Sequence, residues 1–453
     1  MKRRKFLFSG GLATLWLSTS ACLNTKMEHG ANGKRIKPLL VETKVLVVGG
    51  GPAGIGAAIG AAKTGVETLL IENYGYFGGV ASWGVGMCMN QMRPNGEPRG
   101  YVHELLLEKL QQFGPQAVRL STHQFYVNVD YLKVAVLDAL DEVGCKYLVH
   151  TKAVDVLMSG NKIEGVVVTT KSGLAEIKAD VIIDCTGDAD IAYFAGAPTM
   201  KETGNLSPQT CLFNVTNTGK FTNNNMKEVK QKAQSKYPLM PEGWSLRPVS
   251  NAKHFYVNHG GTRDLGNFDI TDPFQFSKAE CISRRQVVQM VEAMREFGGI
   301  ENEIELVGTS PQIGVRESRR VKGAYVLSQE DATQGKKFDD AIAWRSGFMD
   351  IGFVSVTPMK IHQVPYRSIV PEKVDGLLIA GRCISATHEG ASAGKSMGNC
   401  FATGHAAGVA ASICSKENKV PREIDVKKVQ TILMKDGVDL TKGGEDQDHK
   451  MAM

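Results

Sequence analysis

The chain has 453 residues, of which 42% are hydrophobic and 22% charged. That balance excludes global disorder and a continuous coiled coil, and the length suffices for about three domains with a substantial core. The 53 basic and 47 acidic residues leave a net charge of +6, and Lys2, Arg3, Arg4 and Lys5 carry several of those charges. Overall charge therefore gives no case for a nucleic-acid partner.

In chain order, residues 1–22 read as an export signal: a basic start, a short apolar middle and the small-residue end Ser18-Thr19-Ser20-Ala21-Cys22. The apolar middle is too short to span a bilayer, and no later window holds the roughly 18 consecutive apolar residues of a membrane helix. Arg3-Arg4-x-Phe6-Leu7 resembles a twin-arginine export motif. Ser20-Ala21-Cys22 resembles a lipoprotein cleavage box, which makes Cys22 a candidate lipid anchor; a plain cleaved signal is the alternative. The expected location is periplasmic, or lipid-anchored to the cell envelope. Residues 23–40 read as a polar tether. The nine cysteines form no CxxC pair, which speaks against a dithiol centre or zinc ribbon.

Residues 44–48, Lys-Val-Leu-Val-Val, predict a buried parallel strand. Gly49-Gly50-Gly51-Pro52-Ala53-Gly54 follows, then a small-residue helical pattern, and a second strand ends in Glu72. Each position has a mechanical duty in a dinucleotide cradle. Gly49 permits the turn, Gly51 lets backbone approach a pyrophosphate, and Gly54 lets helix and sheet close up. Pro52 and Ala53 open the helix, whose free N–H groups and dipole favour phosphate. Glu72, 23 positions after Gly49, is placed to accept from both ribose hydroxyls.

Beyond Glu72, the pair Gly78-Gly79 suits a flavin dinucleotide, where backbone passes close to the pyrophosphate and ring system. Residues 179–188 form a strand pattern ending in Thr186-Gly187-Asp188, and residues 376–382 another ending in Gly381-Arg382. A helix pattern follows over 396–413. Its start, near Lys395 and Ser396, is suited to stabilising negative charge at the N1/O2 edge of a reduced flavin.

These segments, with 313–320 (Ile-Gly-Val-Arg-Glu-Ser-Arg-Arg), 364–368 (Val-Pro-Tyr-Arg-Ser), Gly381-Arg382-Cys383-Ile384-Ser385 and Gly404-His405-Ala406-Ala407-Gly408, resemble the FAD-dependent oxidoreductase family of bacterial flavoproteins, some labelled xanthan-lyase-like or fumarate-reductase-like. The resemblance runs from Val41 to about Gly437. It implies FAD as cofactor and an α/β fold: a Rossmann-like FAD-binding domain, with a parallel sheet, helices and a small antiparallel layer, and an inserted α+β substrate domain. It also implies that backbone near Val154 meets the adenine. Lys395 stands where the family often has arginine; the charge is kept and the bidentate fork is lost. The expected layout is FAD-binding domain at 41–194 and 365–415, substrate domain at 195–364, and a C-terminal helix and tail at 416–453, with 443–453 disordered.

The flavin carries the redox step, so the protein must position substrate and move protons. His388, with Glu389 beside it, is the leading acid/base candidate; the plainer reading is a loop histidine bonded to backbone. His259, before Gly260-Gly261, is the runner-up. Arg316 either orients an anionic group or ties the domains together, and Arg319 and Arg320 suit the structural role. No His–carboxylate spacing suggests a metal site. A single GxGxxG and an exported location favour substrate oxidation, with a quinone or cytochrome as electron partner. The expected activity is dehydrogenation of a small polar molecule, a carbohydrate or hydroxy/keto acid, by hydride transfer to flavin N5. Rivals are a flavin-dependent reductase or monooxygenase, and an FAD-bound lipoprotein subunit of a larger complex.

Overall fold

The computed structural model describes residues 38–447 apart from 219–222, 242, 250–253, 299–302 and 352–355. The expected export signal, Cys22 and nearly all of the expected tether lie outside the described residues.

The first strand, Leu39–Val48, begins within the segment expected as tether; its opening residues pair with Glu176 and Ile177 and so belong to the sheet. Its last four residues are buried, as a strand covered on both faces requires. It lies between two parallel neighbours, Thr68–Ile71 on one side and Gly173–Asp184 on the other. The strand order is 146–148, 68–71, 39–48, 173–184, 162–170 and 152–159, with Leu377–Ile379 joining as a seventh strand.

Gly173–Asp184 unites the two expected layers. Its first half pairs antiparallel with Lys162–Thr170, and its last three residues pair parallel with Leu377–Ile379. The antiparallel hairpin is thus continuous with the parallel sheet. The expected strand over 147–158 is split. Lys146–Leu148 joins the parallel sheet and Lys152–Ser159 joins the hairpin, with His150 between them at a left-handed φ of 52°.

Two helices close over one face of this sheet: Pro52–Ala62, here the entry helix, and Met397–Glu417, the core helix. They meet through interlocked glycines. A Cβ on Gly56 would stand 2.4 Å from Phe401 O, on Gly60 2.6 Å from His405 O, on Gly404 2.0 Å from Ala53 O, and on Gly408 2.1 Å from Ala57 O. Residues four apart share a helix face, so each glycine pair makes one groove for the other helix.

A second sheet, ordered 244–248, 255–259, 213–216 and 305–309, is wholly antiparallel. It shares a separate apolar core with helices Asn223–Ala233 and Pro273–Phe297. The expected helix over 279–297 starts earlier because Asp272 caps it, accepting from the Phe274 and Gln275 amides, and Pro273 occupies its first turn.

At the C-terminus, Val426–Lys435 forms the expected outer helix. The expectation of disorder from 443 onward is corrected over 443–447. The Gly444 amide donates to Ile361 O, Ile361 to Glu445 O, and the Gln447 side chain to Met359 O. These bonds give the segment a place beside 359–361.

Candidate functional site

The glycine turn divides its labour among its positions. Gly49 has φ 100°, and a Cβ there would stand 2.6 Å from Cys185 O. A Cβ on Gly54 would stand 1.7 Å from Gly49 O. Gly51 differs: nothing lies within 4 Å of the place a Cβ would occupy. Open space before a helix N-terminus, with Pro52 first in the helix and no acidic residue in its first turn, is what a pyrophosphate needs.

The second glycine pair meets the first. Gly78 N donates to Gly50 O at 2.7 Å, and a Cβ on Gly79 would stand 3.0 Å from the Gly51 Cα. Glu72 is buried, with Oε2 accepting from Gly50 N at 2.7 Å and Oε1 from Tyr74 N at 2.9 Å. Burial raises its carboxyl above the ordinary value, and these amides oppose that shift. Each carboxylate oxygen retains acceptor capacity for a ribose hydroxyl. Val154 falls at a register shift in the 152–159/162–170 ladder, between Ala153 and Asp155. A bulged residue is left out of the ladder, which suits backbone contact with a ligand edge. An FAD would therefore be held by the turn 49–54, Glu72, Gly78-Gly79 and the backbone at Val154.

The two distant strand ends come together through Asp188 and Arg382, paired at 2.8 Å. Gly187, with φ 81°, lets the Arg382 guanidinium pass close to its Cα. Thr186 turns inward instead: its amide and hydroxyl both donate to Asp184 Oδ1. Gly381 donates its amide to Thr403 at 3.2 Å, locking this strand end to the core helix. Ser396 is the N-cap residue of that helix but makes no side-chain cap, and the first turn holds no acidic residue. The helix start thus keeps donors for an anionic edge.

His388 opens the short helix His388–Ser392 and is buried. Its Nδ1 lies 2.6 Å from Oε2 of Glu317, an ion-pair distance at an angle that does not complete a hydrogen bond, and its Nε2 is buried without a hydrogen-bond partner. The carboxylate beside the ring is Glu317, from the distant segment 313–320, while Glu389 lies in the first turn of the same short helix as His388. Glu317 is held by Ser207, whose hydroxyl donates at 3.1 Å, and by Arg320, which also binds Glu202 at 2.8 Å. Glu317 holds the His388 pKa above 6.5, against the opposite pull of burial. Ligand atoms of Glu202, Glu317 and His388 converge within 4.8 Å, but Arg320 already bridges the two carboxylates with its own positive charge.

Lys395 is turned to Asp350, donating to its carbonyl and lying 3.6 Å from its carboxylate. Arg316 faces the same carboxylate at 3.5 Å and reaches Thr210 Oγ1 at 3.3 Å. Burial pushes the Lys395 ammonium down to about 8, opposed by Asp350. His259 is corrected as a catalytic candidate: Nε2 contacts Cys211 O at 2.9 Å and Nδ1 accepts from Gly261 N at 3.2 Å. Both ring nitrogens are committed to backbone, and burial lowers its pKa to about 4. Arg319 pairs with Asp190 and donates to Asp188 O, the structural role read from the sequence.

Sequence reasoning missed Ser207, Asp350 and the pairing of Glu317 with His388. Glu317 stood in a recognised segment, but nothing in that segment names its partner.

A parallel sheet with a glycine turn, a terminal acid and a second glycine pair folded onto that turn defines a dinucleotide-binding flavoprotein of the Rossmann type. The family described as FAD dependent oxidoreductase matches residues 44–433, and the chain belongs to it. The chain is 33% identical over 167 residues to thiamine thiazole synthase of Methanococcus vannielii, covering 34% of this chain and 59% of that one. It is 28% identical to digeranylgeranylglycerophospholipid reductase of Picrophilus torridus, covering 35% and 43%. The chain therefore spans about three fifths or less of these relatives. A geranylgeranyl bacteriochlorophyll reductase-like protein of Thermoplasma acidophilum shares the fold, with a TM-score of 0.50 at 14% identity over 87% of this chain and 83% of that one. Among the described residues no helix is long and apolar enough to cross a membrane.

Proposed function

We propose that the protein dehydrogenates a small polar molecule, a carbohydrate or a hydroxy/keto acid, with His388 as the proton acceptor. The observation that carries this reading is the buried His388 ring with Glu317 behind Nδ1 and Nε2 without a partner. FAD, when bound, supplies the acceptor for a hydride at N5. The substrate hydroxyl proton passes to His388 Nε2, the adjacent C–H electron pair leaves as hydride, and the carbon becomes a carbonyl. Glu317 stabilises the imidazolium formed, while Ser207 and Arg320 fix the carboxylate in place. Glu72, the glycine turn and the uncapped start of the core helix orient the cofactor.

Anaerobic mixing of the purified yellow protein with small alcohols, sugars and hydroxy acids tests the reading. Bleaching of the flavin band by one class is the expected result. A flavin that stays oxidised with every class, while dithionite bleaches it, refutes it.

The raised His388 pKa favours a second direction, because a protonated ring donates rather than accepts. In that reading the enzyme is a reductase or monooxygenase that needs a supplied reductant, and flavin bleaching by a nicotinamide distinguishes it.

The location belongs to the same proposal. The basic start, apolar run and Cys22 support export by the twin-arginine route with a lipid anchor, and a quinone or cytochrome as electron partner. Fractionation of cells carrying Cys22→Ser tests the anchor: release from the envelope is expected, and unchanged membrane association refutes it.

A further inference from the structure

A cavity of about 220 Å³ lies between two loops, its wall including Ser207, Thr262, Arg263, Asn267 and Phe268. Asn267 pins the loops together, its Oδ1 accepting from Leu206 N at 2.9 Å and its Nδ2 donating to Gly204 O. Two wall residues connect the cavity to the site already described. Ser207 donates to Glu317, which backs His388. Arg263 donates through Nη2 to Ile351 O, one residue beyond Asp350.

Arg263 is incompletely satisfied. Its Nε is buried without a hydrogen-bond partner, and among the described residues no carboxylate pairs with its guanidinium. Arg316 and Lys395 both face Asp350, the residue before Ile351. The positive charge of Arg263 adds to the burial that lowers the Arg316 pKa, against the opposing pull of Asp350. A guanidinium on a cavity wall with no carboxylate partner favours an anion in that cavity, which supplies the missing counter-charge.

We propose that Arg263 receives the carboxylate of the substrate, so the substrate is a small organic acid and not a neutral sugar. The inference deepens the dehydrogenase reading and rests on it for the bond oxidised. The planar guanidinium offers two parallel donors to one carboxylate. The hydroxyl-bearing carbon would then lie toward Ser207 and the Glu317–His388 pair. The volume, below the roughly 300–1,000 Å³ of pockets for drug-sized ligands, suits an acid of a few carbons and no polymer chain.

The test uses the FAD-loaded full chain and reads binding apart from turnover, by perturbation of the flavin spectrum and by the shift in melting temperature. Glycolate, lactate, malate and pyruvate are titrated beside lactamide, glucose and galactose. Acids are expected to bind at least about tenfold tighter than lactamide, the neutral counterpart of lactate. Arg263→Gln is expected to remove that preference, and Arg263→Lys to keep part of it. Equal binding of lactate and lactamide, or failure of every acid to bind, overturns the proposal without need of a variant. So does an Arg263→Gln protein that retains FAD and binds acids as the wild type does. If acids bind and the flavin stays oxidised, the carboxylate site stands and the dehydrogenase reading falls. If sugars bleach the flavin and acids do not bind, the reverse holds.

Discussion

Glu72 Oε2 accepts the Gly50 amide at 2.7 Å, joining the acid that ends the second strand to the turn that ends the first. One carboxylate thus holds the cradle in shape and keeps acceptor capacity that a ribose would use. Glu72→Gln replaces one acceptor with a donor that faces a buried amide. A stability loss of about 1–3 kcal/mol is expected, with weaker FAD retention. Chemical denaturation and fluorescence titration of FAD read the two effects. Unchanged FAD affinity in this variant contradicts the ribose role.

Removing the His388 ring as His388→Gln is expected to slow flavin reduction by substrate about 10²–10⁴-fold while the FAD spectrum is kept. A rate within twofold of wild type would show that protons leave by another path.

The pH profile separates Glu317 from a merely structural residue. A base works when deprotonated, and Glu317 holds His388 above 6.5, so the acidic limb of flavin reduction belongs above that value. Glu317→Gln removes the negative charge and moves the limb to lower pH. The same shift has a stability sign: the pairing stabilises the fold fully below pH 6.5 and is lost as pH rises through the folded value. An acidic limb that does not move in the variant assigns it to another group.

Lys395 loses its proton near pH 8, since burial depresses it to about 8 from 10.5. Affinity for an anionic ligand in the site should fall as pH passes that value, and Lys395→Arg should carry the affinity to higher pH. For stability the sign is opposite. The folded chain resists holding this proton, so the penalty is full below about 8 and relieved between about 8 and 10.5. Ligand titration and thermal melts across pH 7–10 read both; an anion affinity flat across that range excludes a role for the ammonium.

Gly404→Ala and Gly408→Ala would set a Cβ 2.0 and 2.1 Å from the carbonyl oxygens of Ala53 and Ala57. The entry helix must move away, at an expected cost of about 1–3 kcal/mol each, and its first turn moves with it. Loss of FAD affinity alongside loss of stability is the expected pattern, seen by calorimetry. Unchanged stability in both variants would mean that the helices do not meet at these glycines.

The cradle was legible in the sequence because each part of it is local. Strand, glycines, helix and acid lie within thirty residues, and backbone sterics at Gly49, Gly51 and Gly54 dictate the residue type. The FAD class was legible because Gly78-Gly79 follows closely. The pairing of His388 with Glu317 was not, because the two meet only when the chain folds. The surroundings of His259 were not legible either, because the glycines after it let the backbone turn back on its ring. The break at His150 was hidden because residues on either side of it are equally strand-like. The order of 443–447 rests on bonds to 359–361 that no tail composition announces.

The interlocked glycines join a helix near the start of the described chain to one near its end. The entry helix lacks this partner until residues 397–417 have left the ribosome, so the glycine seam stays bare while everything between the two helices is synthesised. Contacts this remote in sequence form late and expose apolar surface meanwhile. Any C-terminal truncation that removes 397–417 therefore leaves the nucleotide cradle without its lid of helix, and such nascent fragments should need a chaperone until synthesis ends.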